Sequence, residues 1–348
     1  MKLYYSPFGF PQIELEENES AIIFSDAHLG VSPEGSIRCN LLQLCSFLKK
    51  LKEGRLEGSE EIDTPTLFVL LGDILDFWQG NVNAILSDFY GVAKILLSLD
   101  RLKLYIAGNH DRIIGRLMLK DADGKEDFIV TPEMAILESG DKRFVLLHGH
   151  QFDSLFVKLG GLWKIESYIY SLAEGFMSLP GRTEWYMAGL SALSGLLLLV
   201  YGEFLKGLPA FIKPFIYMAP PLLMLPLLIM TIRKVQDELW YLFILPLSQS
   251  LNLYRTRYRH PEELVRKGTI KDWLEANEDI IGEVNGVIFG HTHVPGVAKS
   301  GELIVANTGS WISEKYQKLI NNTFIYLKNG KIKLFQYIDG KCELLAEA

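Results

Sequence analysis

The chain has 348 residues, enough for a core domain with a second one appended or inserted, and its net charge of −7 argues against a general nucleic-acid binder, which needs a basic face. Cys39, Cys45 and Cys342 are odd in number and form no CxxC pair, which excludes a disulfide framework and a cysteine zinc site. The first residues lack an apolar stretch followed by a small-residue cleavage site, so the catalytic part is expected on the cytoplasmic side.

In chain order, five short apolar runs each end in a polar motif: "AIIFSDAHLG" at 21–30, "TLFVLLGDILDFW" at 66–78, "LKLYIAGNHD" at 102–111, "RFVLLHGH" at 143–150 and "GVIFGHTH" at 286–293. Each predicts a buried strand that delivers its motif at the C-terminal end. Helical spacing links Ile37, Leu41, Leu44, Cys45, Leu48 and Leu51 in one intervening segment, and Ala84, Ile85, Val92, Ile95, Leu96 and Leu99 in the next. Strands alternating with helices imply an α/β sheet whose functional groups gather beyond the carboxyl ends of its strands. From 302 to 338 the pattern returns to strands, the last pair joined at Asn329-Gly330 as a hairpin.

Six of the seven histidines sit in these motifs: His28, His110, His148, His150, His291 and His293. Any one of them alone reads as readily as a core or loop histidine satisfied by local hydrogen bonds. Asp-x-His can cap a loop, and Gly-Asn suits a turn. Together, neutral imidazoles, carboxylates and an amide oxygen are the donors that divalent Mn, Fe or Zn accept.

The order Asp-x-His, Gly-Asp, Gly-Asn-His-Asp, His-Gly-His and Gly-His-Thr-His resembles the calcineurin-like metallophosphoesterases, over residues 20–150 and again from 280 to the "NTGSW" at 307–311. The resemblance implies an α/β fold, the metallophosphoesterase αββα sandwich, around a two-metal site. By motif, Asp26, His28 and His293 would hold one ion, Asn109, His148 and His291 the other, and Asp73 would bridge them. Mn is the first expectation, with Fe or Zn as alternatives. Two such ions ~3.5–4 Å apart share a hydroxide nucleophile and clamp the phosphoryl oxygens. His110 would give a proton to the leaving oxygen or stabilise the phosphoryl charge, with Asp111 orienting its imidazole. His150 either supports a ligand by a hydrogen bond or is structural, and Asp76 either does the same or caps a helix start.

Between His148 and His291 lie 142 residues, so the core (1–150 and 276–348) is expected to be split by a long hydrophobic helical insertion at 151–275. Residues 185–202 and 215–232 are each 18 residues without a charge, close to the length of a bilayer span, although Pro220, Pro221 and Pro226 interrupt the second. These runs predict a membrane hairpin over 185–232, the alternative being a helical lid or a dimer interface. A third apolar run, 239–254, should lie at the interface or against the catalytic domain, because ligands before and after the insertion must meet on one side. In "YRTRYRH" at 254–260, Arg255, Arg257 and Arg259 suit anionic lipid headgroups or phosphate, or else form a solvated face.

The insertion is similar in place to the one carried by the UDP-2,3-diacylglucosamine pyrophosphohydrolase branch of the family. The chain departs from that branch in having His110 after Gly-Asn, where its members tend to carry Arg, and in a longer, more apolar insert. The expected function is hydrolysis of a phosphorylated lipid or lipid-linked phosphate or pyrophosphate at the cell membrane, with the catalytic domain on the cytoplasmic side and no nucleic-acid partner. The alternative is a cytosolic nucleotide or cyclic-nucleotide phosphodiesterase.

Overall fold

The computed structural model describes residues 1–31, 37–54, 56, 62, 64–77, 80, 82–152, 183–201, 213–239, 260–314 and 319–348. The chain divides into two compact units, one made of Met1–Ser178 with Tyr258–Ala348 and the other of Leu179–Arg257.

In the first unit the chain runs through β1 (Lys2–Tyr5), β2 (Pro11–Leu15), β3 (Ser20–Phe24), β4 (Ile37–Cys39), α1 (Leu41–Glu53), β5 (Leu67–Leu70), α2 (Val82–Leu96) and β6 (Leu102–Ile106). After a short 3-10 turn at Arg112–Ile114 come β7 (Leu117–Lys120), β8 (Glu126–Thr131), β9 (Met134–Ser139) and β10 (Lys142–Leu147). One sheet has the order β17-β16-β15-β3-β5-β6-β8-β7 and the other β1-β2-β9-β10-β11-β13-β12, where β11 is Gly286–Phe289, β12 Gly296–Ser300, β13 Leu303–Asn307, β15 Thr323–Lys328, β16 Lys331–Ile338 and β17 Lys341–Glu347. Between β13 and β15, the short β14 (Ile312–Glu314) pairs with β4.

Strands whose apolar residues face both ways need cover on both faces. Ile23, Val69, Leu104, Leu137, Leu146 and Ile288 meet between the sheets. On the outside, Phe24, Phe68 and Leu70 pack under α1 and α2 through Leu44, Leu48, Ile85 and Val92. The opposite face of the sandwich puts Val145, Leu147 and Val287 against Leu264, Ile270 and Ile281. Those last three come from α5 (Pro261–Arg266), α6 (Thr269–Ala276) and α7 (Glu278–Ile281). The layers are therefore helix, sheet, sheet, helix, the αββα sandwich that the motifs implied.

Local chemistry sets the element ends. In α1 the buried positions Leu44, Phe47, Leu48 and Leu51 repeat at helical spacing, and Gly54 closes the helix in the left-handed region (φ 64) with its N–H on the Leu51 carbonyl. Ile37, read from sequence as part of that helical stripe, lies instead in β4. The helix begins only after Asn40, whose N–H donates to the Trp311 carbonyl. Asn329 (φ 48) and Gly330 (φ 71) both take positive φ and join β15 to β16 as the expected hairpin. Residues 261–275, placed by the sequence reading within the insertion, belong to α5 and α6 of the first unit, with α5 against β12 and β13.

In the second unit α3 (Thr183–Tyr201) packs on α4 (Lys213–Leu239), and the Ser191 hydroxyl donates to the Leu223 carbonyl at 2.8 Å. Among the described residues no helix is long and apolar enough to cross a membrane. The hairpin expected over 185–232 is corrected accordingly. Its described part is a packed helix pair, in which Pro220, Pro221 and Pro226 each remove a backbone donor from α4. The run 240–254 and Arg255, Arg257 and Arg259 fall outside the described residues.

Candidate metal centre

In one sheet β3, β5 and β6 run parallel, and in the other β10, β11 and β13 do. Their carboxyl ends carry Asp26 and His28, Asp73 and Asp76, Asn109 to Asp111, His148, and His291 with His293. The loops are laced together by backbone bonds: His28 N–H to the Asp73 carbonyl at 2.9 Å, Leu29 N–H to Ile74 at 2.8 Å, Gly290 N–H to His148 at 2.8 Å and Trp311 N–H to Asp26 at 3.0 Å.

Asp26 (φ 53), His28 (φ 47), Asp73 (φ 50), His291 (φ 66) and His293 (φ 57) all sit in the left-handed region. The other non-glycine residues there among those described are Asn322, Asn329 and Asp339, types that tolerate it. Such conformations cost free energy and persist where the surroundings impose them, as at sites that aim side chains at a ligand. Glycines provide the room: a Cβ at Gly108 would strike the Asp73 carboxylate, and one at Gly290 would strike Ser25 and Asp26.

Three overlapping groups of ligand atoms result, each with its members within 4.8 Å of one another: Asp26 with His28 and His293, Asp73 with His148 and His291, and His28 with Asp73 and His110. His28 Nε2 lies 3.3 Å from His293 Nε2, and His291 Nδ1 lies 3.3 Å from His148 Nε2. Nitrogens so paired aim their lone pairs into a shared space, as a common cation requires. Asp73 Oδ2 stands between the groups, 3.1 Å from His148 Nε2 and 4.0 Å from His28 Nε2. Its other oxygen accepts the His110 N–H at 2.9 Å. Asp26 Oδ2 accepts from the Ser25 hydroxyl and from His291 N–H at 2.9 Å. The amide oxygen Asn109 Oδ1 is buried without a hydrogen-bond partner among the described residues, and the remaining oxygen, Asp26 Oδ1, faces His293 Nε2 at 3.3 Å. A buried unsatisfied amide oxygen and a carboxylate oxygen met only by imidazole nitrogens, beside a second carboxylate, fit a pair of divalent cations.

Electrostatics agree. Burial would raise the Asp73 carboxyl, but His148, His110 and His28 hold it well below the usual carboxylate range. Burial would lower His148 and His293, yet Asp73 drives the first up to about 10, and Asp26 with Glu314 drives the second up to about 9. Protons thus occupy imidazoles where a cation would replace them. The His148 Nδ1–H donates to the Leu71 carbonyl at 2.9 Å, leaving Nε2 for a metal.

Asp76 accepts from both His28 Nδ1, at 2.8 Å, and His110 Nδ1, at 3.0 Å. It therefore orients a candidate ligand and the candidate proton donor at once. That role was expected of Asp111 for His110, and the structure corrects it. The Asp111 carboxylate accepts Ile74 N–H at 2.8 Å, Gly108 N–H at 2.6 Å and the Tyr105 hydroxyl, so it staples the loop, and it acts on His110 through its charge. His110 Nε2 points inward, 3.9 Å from Asp73 Oδ2. His150 lies buried with its ring 5.7 Å from that of His148, and burial together with the neighbouring histidines keeps it neutral.

Three residues were not singled out from sequence. Glu314 places Oε1 3.5 Å from His293 Nδ1, brought there by the pairing of β14 with β4. Ser25 bonds Thr308 (2.6 Å between hydroxyls) while steadying Asp26. A serine directly before Asp-x-His and the threonine of "NTGSW" were visible signals, whereas Glu314 had none.

No family profile matches the chain, and no curated protein matches it by sequence. Among solved structures it is similar to a dimetal phosphatase from Danio rerio, at 12% identity and TM-score 0.40, over 96% of this chain and 98% of that one. YfcE, a phosphoesterase from E. coli, aligns at 13% identity and TM-score 0.39, over 94% and 98%. Vps29 from Entamoeba histolytica, complexed with zinc, aligns at 13% identity and TM-score 0.36, over 94% and 98%. These are likenesses of architecture alone, and they single out no branch.

Proposed function

We propose that the chain is a metal-dependent phosphoester hydrolase with a dinuclear centre. The observation that carries this reading is Asp73, whose Oδ2 stands between two groups of imidazole and carboxylate ligands at the carboxyl ends of strands from both sheets. Asp26, His28 and His293 would hold one cation, Asn109, His148 and His291 the other, and Asp73 both. Mn is the favoured metal, with Fe or Zn as alternatives. Bound there, two divalent ions supply activation of water and neutralisation of phosphoryl charge. The chain's own residues do the rest. Asp76 and Asp73 hold the proton on His110, raising it to about 9 against the effect of burial, so the imidazolium is available to protonate a leaving oxygen. Leu71, Ser25 and Glu314 fix the rings and the carboxylate that would face the ions.

The substrate class we propose is a phosphorylated lipid or lipid-linked phosphate or pyrophosphate, handled at a membrane surface on the cytoplasmic side. Support comes from α3 and α4, where Leu190 (66% exposed), Leu199 (58%), Tyr217 (66%) and Leu222 (59%) present apolar side chains outward. A helix pair with apolar side chains turned outward suits a place along the interface. Nucleotide diesters are the second reading, favoured by the absence of a crossing helix among the described residues. A hydrolase screen of the full chain with Mn, with and without detergent, across lipid phosphates, nucleotide-linked lipids and cyclic nucleotides separates the two. Detergent-dependent turnover of a lipid phosphate is the expected result, and activity confined to soluble nucleotides would reject the lipid reading.

A further inference from the structure

An imidazole that faces a cation with one nitrogen must do something with the other. His28 Nδ1 meets the Asp76 carboxylate at 2.8 Å, and His148 Nδ1 donates to the Leu71 carbonyl at 2.9 Å. Both partners belong to the segment around the Gly-Asp motif, which carries the ligand Asp73. His293 is supported from elsewhere. Its Nε2 lies 3.3 Å from Asp26 Oδ1 and 3.3 Å from His28 Nε2, which leaves Nδ1 on the outer side of the ring, and there Glu314 Oε1 stands 3.5 Å away. Glu314 lies at the end of β14, a strand that carries no proposed ligand.

The chain builds a small separate ribbon to put that acid in place. β14 pairs with β4 outside the two large sheets, setting Glu314 opposite Ile37 and Ile312 opposite Cys39. Side chains alternate along a strand, so Glu314 shares a face with Ile312, which is buried with Val31 and Ile37. The acid is thus carried inward, and its side chain is only 10% exposed. A carboxylate so far from water needs a compensating neighbour, and the His293 ring provides one. Hydrogen bonds fix the ribbon against the ligand loop. Trp311 N–H donates to the Asp26 carbonyl at 3.0 Å, and the Trp311 carbonyl accepts Asn40 N–H at 2.8 Å. The Ser313 hydroxyl donates to Asn40 Oδ1 at 2.7 Å, and the Asn321 amide donates to the Ile312 carbonyl at 3.0 Å. Asp26 in front of His293 and Glu314 behind it are therefore held in register with each other.

Resting on the dinuclear reading above, we propose that Glu314 is a positioning residue for one of the two cation sites: it accepts the Nδ1–H of His293, which fixes the tautomer with Nε2 free and aims that nitrogen at the cation shared with Asp26 and His28. At 3.5 Å a small turn of the Glu314 side chain brings the pair to a hydrogen bond. A carboxylate behind a ligating imidazole also makes the nitrogen in front a stronger donor. The effect belongs to one site. The group of Asn109, His148 and His291 takes its support from the neutral Leu71 carbonyl instead.

The test is Mn affinity, measured by isothermal titration of the full chain in two single-site backgrounds. His148→Ala keeps the group of Asp26, His28 and His293, and His28→Ala keeps that of Asn109, His148 and His291. Adding Glu314→Ala should weaken Mn binding by roughly 10–100-fold in the first background and leave it within about twofold in the second, a selectivity that general damage to the fold would not produce. Glu314→Gln, whose amide oxygen can still accept the Nδ1–H, should recover most of the loss. Undiminished affinity of Glu314→Ala in the first background, an equal loss in both, or a Gln variant as weak as the Ala variant would each overturn the proposal. Failure of the dinuclear reading looks different: the wild type and both backgrounds would take up no Mn while Glu314 is still intact, and the proposal would fall with that reading.

Discussion

In the sandwich unit Phe24, Leu70, Leu147 and Phe289 are fully buried, and the acids and histidines gather where their strands end; in α3 and α4, Leu190, Leu193, Leu199 and Leu222 stand more than half exposed. Both regions read from sequence as apolar. The difference lies in period and length. Four to six apolar residues ending in Asp-x-His or Gly-Asn-His make a strand that must bury both faces and then turn sharply, and the turn aims ligands. Eighteen residues without a charge make a helix that one partner helix leaves partly uncovered. The first region gathers candidate ligands, and the second turns apolar side chains outward.

The sharpest way to break this contrast is in the ligand cluster. Asp73→Asn leaves the fold but removes the charge shared by the two groups, and hydrolysis at saturating Mn should fall by roughly 10⁴-fold or more; His148→Ala should do the same by removing a donor. Near-normal turnover of either variant would refute the ligand assignment. His110→Ala should keep the metals and lose about 10²–10⁴-fold in turnover on substrates with poor leaving groups, with a much smaller loss on p-nitrophenyl esters. Equal losses on both would remove the proton-donor role.

Replacing residues 183–239 by a short polar linker tests the other side of the contrast. Every proposed ligand lies outside that span, so hydrolysis of a small soluble ester should persist, while turnover of a lipid phosphate in vesicles should drop by roughly 10–100-fold as surface concentration is lost. Equal activity of both proteins on the lipid would detach the helices from substrate handling. The smallest expected effect is on pH. His110 acts as an acid while protonated, and Asp73 and Asp76 raise it to about 9, so activity on poor leaving groups should fall as pH rises through that region. Asp76→Asn withdraws one of the anions that favour the imidazolium, which moves the basic limb to lower pH by about 1–2 units. A basic limb that stays in place, read from kcat against pH, would mean that another group titrates.

The strand-end motifs were legible because each apolar run and its polar terminus are contiguous in sequence, so Asp26, Asp73, Asn109 and His148 could be named before the strands were paired. The role of Asp76 was half legible. Its place three residues after Asp73 marked it, but only the crossing of two loops shows it holding His28 and His110 together. Asp111 was misread since adjacency to His110 says nothing of direction, and a buried carboxylate takes the nearest free N–H groups, here those of Ile74 and Gly108. Glu314 was invisible because β14 reaches His293 through a long-range pairing that no local pattern announces. The helix pair was found by its composition, and among the described residues no helix is long and apolar enough to cross a membrane.

The central claim is that two cations share Asp73, and native mass spectrometry of the full chain after Mn loading tests it most directly. Two ions per chain in the wild type and at most one in Asp73→Asn is the result expected. Two tightly held ions in Asp73→Asn, or a wild type that never takes more than one, would contradict it.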